Sequence, residues 1–355
     1  MANEIGVGVI GFGLAARVFH CPFISAVPGL VLKVIVQRNG DEAAKAYPKA
    51  TIVRSAEELL RDPTVQLVVV ATPNETHYEL ATQALAAGKH VVIDKPFAAS
   101  SQQAEQLIAQ AQKSNLVLAP FHNRRWDGDF LTVVKLLQSG ELGRLVTFES
   151  HFDRFRPLLR EGTWKESEGP ANGLLFDLGP HLVDQAFALF GSPKTVTASV
   201  RTDREASKIE DAFDIALGYD RLIFWCRSSL LASDPAPRFL LHGIGGSFKK
   251  FGVDPQEPAL VAGARVPNVG DGEWLAENEE MWGELTVAPS LAHPGTLVKT
   301  RVRTELGDYR AFYANLRDTI RGTDELEVPA ALACQVIRVL ELARASSSEG
   351  RTLRF

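Results

Sequence analysis

Cysteine is scarce in this sequence of 355 residues: the three present, Cys21, Cys226 and Cys334, lie far apart and form no C-x-x-C pair. That number and spacing exclude a disulfide framework or a cysteine-based zinc cluster, so no metal is expected. They fit a reduced, cytoplasmic setting. Long hydrophobic runs are missing too. None reaches the roughly 18 residues that a membrane span needs, and Met1 to Glu4 lacks the basic start of a secretion signal. Charge of one sign is not concentrated anywhere. The 38 Lys and Arg against 43 Asp and Glu leave a net −5, without the basic stripe of a nucleic-acid binder. Neither a membrane nor a nucleic acid is therefore expected as a partner. A small polar or anionic ligand remains compatible, because a local basic pocket does not register in a net charge.

What is there is an ordinary globular composition, 45% hydrophobic and 23% charged, in a chain long enough for two domains. The first third alternates strand-like and helix-like segments. Ile5–Ile10, Leu30–Val36, Leu67–Ala71, His90–Ile93 and Leu116–Pro120 read as strands. Leu14–Ala26, a segment opening at Ser55, Thr76–Ala87 and Ser100–Ser114 read as helices. Ser55 followed three residues later by Glu58 is a capping box. Apolar strands alternating with helices predict a parallel sheet covered on both faces. Residues 1–121 are therefore expected to form one doubly wound α/β domain. Beyond them, Asp129–Gln138 and Asp184–Phe190 read as helices. Leu145–Phe152, Thr195–Arg201, Ala212–Leu217, Arg221–Cys226 and Arg238–His242 read as strands, and Gly252–Met281 as loop. Helices over Tyr309–Arg321 and Ala330–Ser346 close the chain. Residues 122–355 are thus expected to form an α+β domain on a mainly antiparallel open sheet.

Gly11-Phe12-Gly13-Leu14-Ala15-Ala16 follows the first strand and opens the first helix, matching G-x-G-x-x-A. Gly11 permits the tight turn, Gly13 lets backbone approach a pyrophosphate, and Ala16 lets helix and strand pack closely. The helix N-terminus then offers unsatisfied N–H groups and partial positive charge to phosphate. This dinucleotide fingerprint predicts a Rossmann domain whose cofactor contacts include Gly11, Phe12, Gly13, Leu14 and Ala16. The second strand runs into Gln37-Arg38-Asn39, where an NAD site usually carries Asp or Glu for the ribose 2′-hydroxyl. Arg38 instead offers a guanidinium fork suited to a 2′-phosphate. NADP(H) is the expected cofactor and NAD(H) the alternative; Asp41 and Glu42 would matter if the strand ended later. Thr72-Pro73-Asn74-Glu75-Thr76-His77 and Asp94-Lys95-Pro96 follow two further strands, where open α/β sheets bind ligands. Thr72, Pro73, Asn74, His77, Asp94 and Lys95 are accordingly expected at the cofactor.

The segments GFGLAA, ATPNETH, AAGKHVVIDKP and LLFDLGPHLVDQ, in this order and spacing, resemble the glucose-fructose oxidoreductase/inositol dehydrogenase/rhizopine catabolism (Gfo/Idh/MocA) family across essentially the whole chain. Asp94 stands where that family usually has Glu, which keeps the carboxylate. HNRRWDGDFLT from His122 and ESHFDRFRP from Glu149 are similar to a subgroup that includes NADP-dependent scyllo-inositol dehydrogenases. The resemblance implies hydride transfer to or from a hydroxyl-bearing carbon of a cyclic polyol or sugar, with Lys95, Asp177 and His181 as the catalytic set. Residue chemistry agrees. Histidine suits the base that takes the hydroxyl proton, and a lysine stabilises charge on the reacting oxygen. If a helix starts at Pro180, His181 lies in its first turn. If it starts earlier, Asp177 and His181 share a face. Asp177 reads either as a substrate or imidazole partner or as an N-cap, and Asp184 as a helix-surface carboxylate.

For substrate, Asn123, Arg124, Arg125 and Trp126 follow the last strand of the first domain. His151 and Asp153 alternate with Arg154 and Arg156, so only one pair can line the pocket. Asn123, Arg125, His151, Asp153, Arg156 and Trp164 join Lys95, Asp177 and His181 as the expected substrate set. Another keto-sugar or aldose as substrate, or a non-catalytic cofactor-binding regulator, are the competing readings. The open sheet of the second domain predicts a homodimer or homotetramer.

Overall fold

The computed structural model describes residues 4–163, 166–169, 171–268, 271, 273–291 and 295–355. They form two compact units. The first takes Met1–Asn123, Gln256–Gly272 and Asp308–Ile337, and the second Arg124–Pro255, Glu273–Gly307 and Arg338–Phe355.

The first unit is built on six parallel strands: β1 (Ile5–Ile10), β2 (Leu30–Val36), β3 (Thr51–Val53), β4 (Leu67–Val70), β5 (His90–Ile93) and β6 (Leu118–Pro120). Their order, β3-β2-β1-β4-β5-β6, reverses direction between β1 and β4, as in a doubly wound dinucleotide-binding fold. β1 and β4 are buried along their whole length, which only apolar residues on both faces permit. Ser55 and Ser100 cap helices as N-terminal acceptors, each taking an N–H three residues on at 3.2 Å. The expected first helix, Leu14–Ala26, contains a π turn at Ala16–His20, where the Cys21 N–H reaches Ala16 O. Pro22 follows at once: it has no N–H, and its ring crowds the carbonyl four residues back, so a widened turn relieves the clash. Val36, Leu59, Val70, Leu85, Ile93 and Leu107 meet in one core, which also takes Ala333 and Ile337. β3 and the helix Glu42–Ala46 have no counterpart in the expectations, being three and five residues long.

The second unit is an α+β layer on nine strands: β7 (Leu145–His151), β8 (Thr195–Arg201), β9 (Ala212–Gly218), β10 (Ile223–Ser229), β11 (Phe239–Gly243), β12 (Gly246–Lys250), β13 (Gly283–Val287), β14 (Val298–Val302) and β15 (Leu353–Arg354). The order is β14-β13-β12-β11-β7-β10-β9-β8-β15. All neighbours are antiparallel except β7 and β10. In that parallel pair Phe148 and Phe224 share a register and stack at 4.4 Å. The helix Leu174–Phe190 packs against β9 and β10. It begins ten residues before the expected Asp184, and the expected loop 252–281 contains the helix Gln256–Val261. No helix among the described residues is long and apolar enough to cross a membrane.

Candidate functional site

The carboxyl edge of the six-stranded sheet brings the expected cofactor residues together. One further backbone bond extends each ladder past the strand ends: Gly11 N–H to Val36 O at 3.2 Å, Ala71 to Ile10 at 3.0 Å and Asp94 to Val70 at 3.0 Å. The glycine turn, residues 37–40, the Thr72 loop and the Asp94–Lys95 loop therefore leave the sheet side by side. Gly11 has φ +99°, and a Cβ there would stand 2.6 Å from Ala71 O, so glycine is required. Gly13 faces open space. Ala16 is fully buried, whereas Leu14 is half exposed. Phe12 meets Tyr47 edge-on. Room at Gly13 and close packing at Ala16 are what a pyrophosphate at this turn needs, so these residues fit a dinucleotide.

β2 ends at Val36, as expected. The two nearby carboxylates are engaged elsewhere. Asp41 pairs with Lys45 at 2.9 Å, and Glu42 accepts from the Gln37 side chain. Its own backbone N–H and that Gln37 bond hold Glu42 below the usual carboxylate range. Arg38 is exposed at the turn.

In the next loops, Thr72 bonds Thr76 through their hydroxyls at 2.7 Å, Pro73 O accepts the Thr76 N–H, and Asn74 opens a short 3₁₀ turn. The two nitrogens of His77 lie 2.8 Å from Thr72 O and 2.9 Å from Pro96 O, so this ring ties the two loops together. Asp94 accepts the backbone N–H of Lys95 at 2.7 Å. Its other oxygen stands 3.7 Å from His20 Nε2, and His20 Nδ1 is 2.6 Å from the Tyr313 hydroxyl. Burial pushes the Asp94 carboxyl up, but His20, then Lys95 and His77, bring it below its ordinary value. His20 and Tyr313 were not anticipated, since a histidine inside an apolar helical stretch carries no mark of its partner.

In the second unit the helix Leu174–Phe190 carries both Asp177 and His181, four residues apart on one face. Pro180 is inside the helix and Gly173 is the N-cap residue, which corrects the readings of Pro180 as a first helical position and of Asp177 as an N-cap. His181 is buried; Asp177 Oδ2 lies 3.6 Å from Arg154 Nη1. Asp184 is buried rather than on the helix surface. It takes a two-point contact from Arg125, Nε at 2.8 Å and Nη2 at 2.7 Å. Arg125 is thus committed to the helix.

At the end of β7 the side chains of Arg154 and His151 part company. The Phe152 ring, under the guanidinium of Arg154 at 5.2 Å, is buried, and Arg154 reaches Asp177. His151 sits on the opposite side, in register with Arg227. It lies 3.1 Å from Glu149 and 3.6 Å from Asp153, which itself accepts the Ser229 N–H. Arg156 donates its backbone N–H to Leu230 O, and Asn123 is buried in a 3₁₀ turn. Trp164 lies outside the described residues.

Comparison with known proteins agrees with this geometry. The NAD-binding Rossmann fold of the Gfo/Idh/MocA oxidoreductase family matches residues 5–122, and that family's C-terminal alpha/beta domain matches residues 134–355. The chain belongs to the Gfo/Idh/MocA family. It is 41% identical to the oxidoreductase YdgJ of Escherichia coli over 353 residues, 99% of each chain. It is 38% identical to the scyllo-inositol 2-dehydrogenase (NADP(+)) IolW of Bacillus subtilis over 352 residues, 99% of this chain and 96% of the relative. The solved oxidoreductase yvaA of Bacillus subtilis superposes with a TM-score of 0.95 at 36% identity, covering 100% of this chain and 99% of that one. As a Gfo/Idh/MocA member the protein is an oxidoreductase with an NAD(P)-binding domain, and the fold and family expected from the sequence are borne out.

Proposed function

We propose that the protein is an NADP(H)-dependent dehydrogenase that interconverts a secondary alcohol and a ketone on a cyclic polyol or sugar, with scyllo-inositol and its inosose as the first candidates. The observation that carries the substrate class is the whole-length similarity to IolW, at 38% identity. The cofactor preference rests on the end of β2, where Arg38 is exposed and both neighbouring carboxylates are already engaged. When bound, the nicotinamide accepts or supplies the hydride. His181 takes the hydroxyl proton in oxidation and returns it in reduction. Lys95, whose backbone is fixed by Asp94, donates to the reacting oxygen and stabilises charge that develops on it. Asp177, flanked by Arg154, accepts a neighbouring substrate hydroxyl.

The test is a nicotinamide-absorbance assay with NADPH plus inosose, and with NADP⁺ plus scyllo-inositol, beside a panel of inositol isomers and sugars. His181→Ala is expected to lower kcat by about 10²–10⁴, the usual worth of a positioned base. Lys95→Ala should do the same, with cofactor still bound in both. Undiminished turnover in the two variants removes the residue assignment. Turnover on a non-polyol carbonyl alone removes the substrate class.

A further inference from the structure

A second arginine stands beside the cofactor-selecting turn, contributed by a strand that the sequence did not reveal. β2 and β3 run parallel with Val36 opposite Val53. The next residues, Gln37 and Arg54, therefore leave the sheet together, and the Gln37 N–H donates to Val53 O at 3.0 Å. Arg54 Nη1 donates to two carbonyls at once, Gln37 O and Gly40 O, each at 2.8 Å. The guanidinium is thus held across the turn that carries Arg38.

This arrangement uses one nitrogen of the fork. Nε and Nη2 make no hydrogen bond or ion pair among the described residues. Neither nearby carboxylate pairs with the group: Glu42 accepts from the Gln37 amide, and Asp41 pairs with Lys45. A cation whose position is set by carbonyls, and whose charge no acid answers, is poised for an anion. The anion expected at this edge of the sheet carries more charge than one arginine can match. A phosphate monoester bears about −1.5 to −2 at pH 7 and three acceptor oxygens.

We infer that Arg54 and Arg38 together receive the ribose 2′-phosphate, Arg54 as the pre-set fork and Arg38 as the second cation. Arg54 is then a specificity-determining residue for NADP(H) over NAD(H). Because its carbonyl bonds already exist in the protein alone, little side-chain freedom is lost when phosphate arrives. The inference rests on the NADP(H) reading above.

Fluorescence titration of NADPH and of NADH, with adenosine 2′,5′-bisphosphate and 5′-AMP as fragment probes, tests it without any turnover. The wild type should bind NADPH and the bisphosphate more tightly than their partners. Arg54→Met is expected to weaken both 2′-phosphorylated ligands at least about tenfold, the worth of a hydrogen bond to a charged group, and to leave NADH and 5′-AMP within about twofold. Arg54→Lys, which keeps the charge and loses the fork, should fall between. It also gives the answer if the methionine variant fails to fold. Equal weakening of all four ligands would mean that Arg54 only braces the turn, and overturns the inference. So does full NADPH preference in Arg54→Met when Arg38→Met has lost it. A wild type that binds NADH as tightly as NADPH removes the NADP(H) reading itself.

Discussion

Asp94 shows how far one carboxylate can be steered by its neighbours. Its side chain is only 15% exposed, and burial alone would raise its pKa. His20 first, then Lys95 and His77, reverse that and hold it below the ordinary carboxylate value. The folded pKa is therefore lower than the unfolded one. Such a group stabilises the fold above the unfolded value, and the contribution disappears as pH falls through the folded value. His20→Gln should weaken that hold and move the acid-unfolding midpoint, followed by circular dichroism, to higher pH. Tyr313→Phe removes the bond to His20 Nδ1 but leaves the Asp94 side of the ring in place, so its acid midpoint should move less. At neutral pH each variant should lose about 1–3 kcal/mol, the cost of a buried polar atom left unsatisfied. An acid midpoint unchanged in His20→Gln would show that His20 only fills space.

The strand, turn and helix at the chain start separate folding from binding between two glycines. Gly11 is needed by the backbone itself, because of its positive φ and its approach to Ala71 O. Gly13 meets nothing within 4 Å, so a methyl group there disturbs no neighbour. Gly13→Ala should melt within a degree or two of the wild type and yet lose cofactor affinity, as the methyl enters the space a pyrophosphate needs. Gly11→Ala should lose both, and calorimetry beside cofactor titration distinguishes them. A Gly13→Ala that binds cofactor normally would contradict the assignment of this turn. Such elements were legible because their physics is local. β1, β2 and β5 ended where their apolar runs ended, and the glycine spacing marked the turn between β1 and its helix. Elements whose residues answer to distant neighbours were not. Apolar spacing marks only Asp184–Phe190 of the helix Leu174–Phe190, because Pro180 and Gly179 read as a break; the N-cap is Gly173 at φ +93°. β14, with Val298, Lys299, Thr300 and Arg301 all exposed, has no apolar face to announce it. Of the site, the four-residue spacing of Asp177 and His181 allowed a shared face only if the helix began before Pro180, and it does. The commitment of Arg125 to Asp184 rests on a partner 59 residues away.

At the scale of the whole chain, sequence order gives way to packing. Residues 308–337 return to the first unit, where Tyr313 reaches His20 across 293 positions, a pairing no periodicity encodes. The second unit carries its own unresolved demand, since the helix Leu174–Phe190 packs on β9 and β10 from one side of a nine-stranded sheet. Register sets Ala216, Trp225, Glu149 and Leu240 in one row across β9, β10, β7 and β11. Glu149 in that row is matched by Arg227 at 2.9 Å and faced by His151 at 3.1 Å, and the Arg227 guanidinium lies 4.4 Å over the Trp225 ring. Val146 and Ile223, beside the row, are 43% and 44% exposed. A face of aromatic and aliphatic groups whose charges are already paired is costly to keep in water and self-complementary under a two-fold axis. The expected outcome is a homodimer, or a tetramer made of such dimers, by size-exclusion chromatography with light scattering. Trp225→Asp places a second carboxylate beside Glu149 and should drive the assembly toward single chains while cofactor binding persists. A wild-type mass of one chain at every concentration would contradict the expectation. An assembly untouched by Trp225→Asp would place the contact on a different surface.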